Sequence, residues 1–121
     1  MAVPGVSVKM SLRAEYVVAA LRGELDVCTA PDIVPGLMAS AAAGSGIVID
    51  LADLAFMDCG SLRELVSARA KARLAGGDLV LACPQPIVLR LFLLTEMIGH
   101  WPVFASVEEA VSGARWHSPA G

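Results

Sequence analysis

Four carboxylates, Glu24, Asp26, Asp53 and Asp58, stand where apolar runs give way to turn residues. Carboxylates placed like this have three physical uses. They can hold Mg²⁺ at a phosphate-accepting site, cap helices, or form an acidic surface that steers a protein partner. The Mg²⁺ site needs an acidic pair after the first strand and a lysine after the last. The only lysines are Lys9 and Lys71, and neither is so placed. Capping stays open, because Asp58, or Ser61 with Glu64 at capping-box spacing, would satisfy free N–H groups at a helix start. The acidic protein-binding surface stays open beside it.

Nucleophilic catalysis has weak support. His100 and His117 lie late in the chain, away from Cys59 and Ser61, and there is no GxSxG turn. A serine or cysteine without a base is a poor nucleophile. The glycines form neither GxGxxG nor a P-loop. Cys28, Cys59 and Cys83 are an odd number with no CxxC pair. They read as reduced thiols, with small core residues as the plain alternative and with spacings that match no zinc module. No metal, no cofactor and no enzymatic activity are therefore expected.

The elements that must position these residues follow from periodicity. Val6 to Leu12 alternates, with Val6, Val8, Met10 and Leu12 on one face, and Tyr16 to Leu25 is β-branched and apolar. The short gap between them predicts a hairpin. A helix follows, with Thr29 as its cap, Pro31 in its first turn and Ile33, Leu37 and Met38 on its apolar face. Ile47 to Leu51 predicts a buried strand, and Ala52 to Gly60 a loop. The next helix carries a stripe of Leu62, Leu65, Val66, Ala70 and Leu74 opposite Arg63, Glu64, Ser67 and Lys71. A strand at Leu79 to Ala82 and a helix from Pro84–Pro86 to about Met97 come next. Val103 to Ala105 predicts a last strand, and Ser106 with Glu109 a capping box for a final helix. The third helix is apolar round most of its circumference. A tightly packed core helix is the favoured reading, with a partner or second copy as the alternative.

Strands alternating with helices imply parallel pairing, with an antiparallel hairpin at the start. Residues 1–114 read as one α/β domain with a mixed, mostly parallel sheet and about four helices. Residues 115–121 read as a flexible C-terminal tail. In such a sheet the loops after the strands share one edge, which gathers the segments from Gly23 to Cys28, from Leu51 to Ser61 and from Cys83 to Pro86. The hydrophobic fraction of 56% suffices for a core, and a net charge of −3 gives no general attraction to nucleic acid or anionic membrane. With no apolar run of about 20 residues and no signal-peptide pattern, the chain reads as cytoplasmic.

Three stretches together resemble the anti-sigma factor antagonist branch of the STAS domain family. They are Arg22-Gly23-Glu24-Leu25-Asp26, Ile47-Val48-Ile49-Asp50-Leu51 and Phe56-Met57-Asp58-Cys59-Gly60-Ser61-Leu62. The family has a GELD-like turn, a vvlDl-like strand and an f-x-D-S-S-G-L loop that opens a helix, in this order. Gly76 to Leu79, the Pro86 to Leu94 helix and Val103 to Ala110 also fit, so the likeness spans about Val6 to Ala114.

The resemblance implies a partner switch. The expected partner is a histidine-kinase-like ATPase anti-sigma factor, which can phosphorylate a serine in the loop and so end binding. Phosphate adds about two negative charges to a surface already acidic. The implied partner-binding residues are Glu24, Asp26, Asp58, Cys59, Gly60 and Ser61. Gly60 falls where the family has its phosphoserine. Ser61, one residue on, is the remaining candidate for phosphorylation, although a shift of one residue turns a side chain by about 100°. Asp26→Lys is expected to weaken binding with little change in stability. A homodimer and a small-molecule or nucleotide-sensing role both remain open.

Overall fold

The computed structural model describes residues 2–13, 15–41, 46–95 and 101–113. The strands are β1 (Ala2–Val3), β2 (Val6–Arg13), β3 (Tyr16–Leu25), β4 (Ile47–Met57), β5 (Leu79–Ala82) and β6 (Val103–Phe104). The helices are α1 (Ala30–Ala41), α2 (Cys59–Leu74), α3 (Pro86–Thr95) and α4 (Val107–Gly113). The sheet runs β1-β2-β3-β4-β5-β6 in chain order. Pairing is antiparallel from β1 to β3 and parallel from β3 to β6. The predicted hairpin is β2–β3, and β1 is a short edge strand beyond it.

The period of two decides which helix covers which face. Ala19 and Leu21, Ile47 and Ile49, and Leu79 and Leu81 point into one core. They meet Ile33 and Leu37 of α1, Leu62 and Leu65 of α2, and Val88 and Phe92 of α3. The alternate residues Val18, Val48, Val80 and Ala82 form a smaller core with Val107 and Ala110 of α4. Each strand is therefore apolar on both faces where helices lie on both sides, which explains the near-continuous apolar run of β4. No helix among the described residues is long and apolar enough to cross a membrane.

Three expectations need correction. The stretch from Ala52 to Met57 is strand, not loop. The long β3 gives it a partner, pairing Arg22 with Asp53, Gly23 with Leu54, Glu24 with Phe56 and Leu25 with Met57. Register shifts after Ala20 and Gly23 break the alternation that would have revealed it. Gly23 has φ +107°, and a Cβ there would collide with Gly5 O, so the bend needs glycine. The buried stripe of α2 is Ser61, Leu62, Leu65, Ala68 and Ala72. Leu74 lies about 220° round the helix from Ser61 and is exposed. Helix α3 buries only Val88 and Phe92. Leu93 and Leu94 are 70% and 72% exposed, with Ile87 and Leu89 also exposed, so it is not a core helix packed on every side. The expected end of α3 at Met97 lies outside the described residues.

A buried ion cluster ties α2 to β5. Asp78 Oδ1 accepts from Arg69 Nε at 2.9 Å and from the Leu79 N–H at 2.7 Å. Asp78 Oδ2 lies 3.4 Å from Arg73. The Arg69 guanidinium sits 5.4 Å over the Trp101 ring, and Trp101 donates its indole N–H to Leu79 O. Removing the carboxylate leaves a largely buried guanidinium and a buried N–H without their acceptor. Asp78→Ala should therefore cost about 3 kcal/mol in chemical denaturation, as expected for breaking one side of a buried pair.

Candidate functional site

Each of the two helices that follow long strands opens on an Asp-x-x-Ser/Thr sequence. At the start of α1, Asp26 Oδ1 accepts from the N–H groups of Cys28 and Thr29, both at 2.9 Å. Thr29 Oγ1 accepts in return from the Asp26 N–H at 3.0 Å. This is a reciprocal capping box. The cap is thus Asp26 and not Thr29, because the turn from Asp26 to Ala30 already closes on the Asp26 carbonyl. At the start of α2, Asp58 is the cap. Its Oδ1 accepts from the Ser61 N–H and from Ser61 Oγ–H, both at 2.8 Å. The Ser61 hydroxyl therefore bonds back to Asp58, and Ser61 sits in the helix it was expected to cap.

Asp58 does a second thing. Its Oδ2 accepts from the Val27 N–H at 3.0 Å, across 31 residues of chain. The Asp58 N–H donates to Leu25 O. One carboxylate thus joins the β3–α1 connection to the start of α2. Burial alone would raise the Asp58 carboxyl, but the bonds from Ser61 and Val27 outweigh it and hold it below its ordinary value.

The expected site residues divide by exposure. Glu24 and Cys59 are exposed, Asp26, Asp58 and Gly60 are half-buried, and Ser61 is fully buried. Asp53 is exposed on the stretch of β4 that pairs with Arg22. The structure brings Asp26, Val27, Asp58 and Gly60 together. Since Asp26 organises the turn that leads into α1, Asp26→Lys is expected to cost stability, where the sequence reading expects little change. Cys28 and Cys59 are exposed, so the core reading fails for them, while Cys83 is half-buried. Burial, helped by the charge of Asp50, pushes the Cys83 thiol up. No cluster of three or more His, Cys, Asp or Glu suited to a metal occurs among the described residues. His100 and His117 lie outside them.

Val27 was not singled out by sequence reasoning. It is 59% exposed, and Phe56 on β4 is also exposed. Only a valine next to a capping aspartate marks the position, and that signal cannot distinguish a surface residue from a core one.

A family model described as the STAS domain matches residues 7–110. Among solved structures, the anti-sigma factor antagonist SpoIIAA in its unphosphorylated form, a Bacillus protein, is similar at 25% identity. It covers 90% of this chain and 99% of that one, with a TM-score of 0.71. An anti-sigma factor antagonist from Mycobacterium paratuberculosis is similar at 21% identity, over 93% and 97% of the two chains, with a TM-score of 0.80. The murine anion transporter Slc26a9 shares the fold at 13% identity, over 81% of this chain and 17% of that one, with a TM-score of 0.70. No curated protein sequence matches the chain.

The Asp58 bonds make stability depend on pH. Because the folded carboxyl is the stronger acid, its contribution is complete above the ordinary value of 3.8 and is lost as pH falls through the lower folded value. Asp58→Asn keeps one acceptor but turns an N–H₂ toward a donor. It should cost about 1–2 kcal/mol near neutral pH. The gap between parent and variant should hold above about pH 3.8 and narrow as pH falls below it in denaturant titrations.

Proposed function

The chain belongs to the STAS domain family, and from that premise we propose that it is an anti-sigma factor antagonist-like regulator. It binds a histidine-kinase-like ATPase anti-sigma factor in a partner-switching pathway, and acts by binding, not by catalysis. The observation that carries this reading is the joined surface at the ends of β3 and β4. There the Asp58 bond to the Val27 N–H ties the turn of Asp26 and Val27 to Cys59 and Gly60 at the start of α2, as one preformed face. A preformed face loses little entropy on binding. The near-complete overlap with SpoIIAA in both chains supports the same reading.

Neither position 60 nor position 61 offers a serviceable phosphoacceptor. Gly60 has no hydroxyl. The Ser61 hydroxyl is fully buried and donates to Asp58. Phosphoryl transfer needs the hydroxyl in line with the γ-phosphate, and reaching Ser61 would require undoing the helix cap. Binding is therefore constitutive or set by partner abundance.

A second reading, a small-molecule-sensing module, has one observation behind it. A shallow groove of about 310 Å³ lies between α1 and α2, with Val34, Pro35, Met38 and Ala68 beside Glu64, Ser67 and Lys71.

Affinity capture from a lysate of the native host tests both. A histidine-kinase-like ATPase among the recovered proteins is the expected result. Its absence, with a small molecule co-purifying instead, would favour the groove. Incubating the protein with that ATPase and ATP should leave its intact mass unchanged. A gain of one phosphate that Ser61→Ala abolishes would show that Ser61 is the switch.

A further inference from the structure

Gly60 lies in the first turn of α2, outside the left-handed region, so no backbone demand explains a glycine there. Volume explains it. A Cβ at position 60 would fall inside the van der Waals envelope of Val27 Cγ1, with Val27 Cβ at 3.5 Å and Asp58 Oδ1 at 3.6 Å. Val27 does not turn aside freely. It lies in the turn that precedes α1, its N–H is held by Asp58, and a β-branched side chain is restricted at χ1. Its outer side nonetheless remains 59% exposed.

We propose that Val27 and Gly60 are an obligate pair that sets what this surface recognises. Val27 takes the room that any side chain at position 60 would need. It stands as an apolar knob between the two capping carboxylates. A serine at 60 and a valine at 27 exclude one another, so the absence of a hydroxyl at 60 is built into the facing loop and is not an isolated substitution. The partner that fits this face offers a small apolar pocket edged by cationic groups, matching Val27 and the carboxylates beside it, Asp26 and Asp58. The recognition half of the proposal rests on the partner-binding reading above. The pairing half does not.

A double-mutant cycle of thermal melts on the parent, Gly60→Ser, Val27→Ala and the double variant tests the pairing. Gly60→Ser should lower the midpoint in the parent. In the Val27→Ala background it should raise it, because serine is the better helix residue once the volume is free. The two shifts should differ by roughly 3 °C or more. Equal shifts in the two backgrounds would overturn the pairing. This cycle needs no partner, so its outcome holds whether or not an ATPase is captured. Titrating the captured ATPase against Val27→Ala should give roughly tenfold weaker binding, as for an anchor side chain cut back. Unchanged affinity would overturn the recognition half.

Discussion

The Asp58 carboxylate is the group on which the arrangement of the site depends. Three donors converge on it, two from Ser61 and one from Val27. The first two close the N-terminus of α2, whose unpaired N–H groups are the positive pole of the helix. The third fixes the loop that opens α1. A neutral acceptor could serve either role, but one charged group serves both, and each bond strengthens with the charge it meets. Protonation would weaken helix start and loop contact together.

The sheet sets up this convergence. Strands β3 and β4 run parallel and stay paired as far as Leu25 and Met57, beyond the point where β4 leaves β5 at Asp50. Asp26 and Asp58 therefore follow immediately after paired residues at the same level of the sheet. Two bulges give β4 the extra bend that lets its end reach α2 while Leu51, Leu54 and Met57 stay buried. At the other end of α2, Asp78 and its arginines anchor the helix to β5. The helix that presents the site is thus held by a carboxylate at each end.

Much of this was legible from residue types alone. The alternation in β2, the apolar run of Ile47 to Leu51 and the glycines after α2 placed the elements in the right order. What escaped was whatever depends on contacts distant in sequence. Thr29 looks like a cap when α1 is read alone, and only the reciprocal bonds show that Asp26 has the role. The far half of β4 reads as loop because its burial repeats every third residue, a pattern produced by bulges that a period-two search rejects. Leu74 looks like a core residue until the small Ala68 and Ala72 prove to be the contact face of α2. For the site, Asp26 and Asp58 were visible as acidic residues after strands. Val27 was invisible, because its role is defined by a glycine 33 positions later.

The bond between Val27 and Asp58 closes a loop of 31 residues that contains the whole of α1. Neither partner of that bond can find the other until β3 and β4 are side by side, and that long-range pairing is the kind of step that forms late in folding. A chain still emerging from the ribosome, or one locally unzipped between β3 and β4, would carry every residue of the face and yet lack the face itself. If the proposed face is what a partner engages, only finished molecules would be counted, and the face would serve as its own certificate of folding.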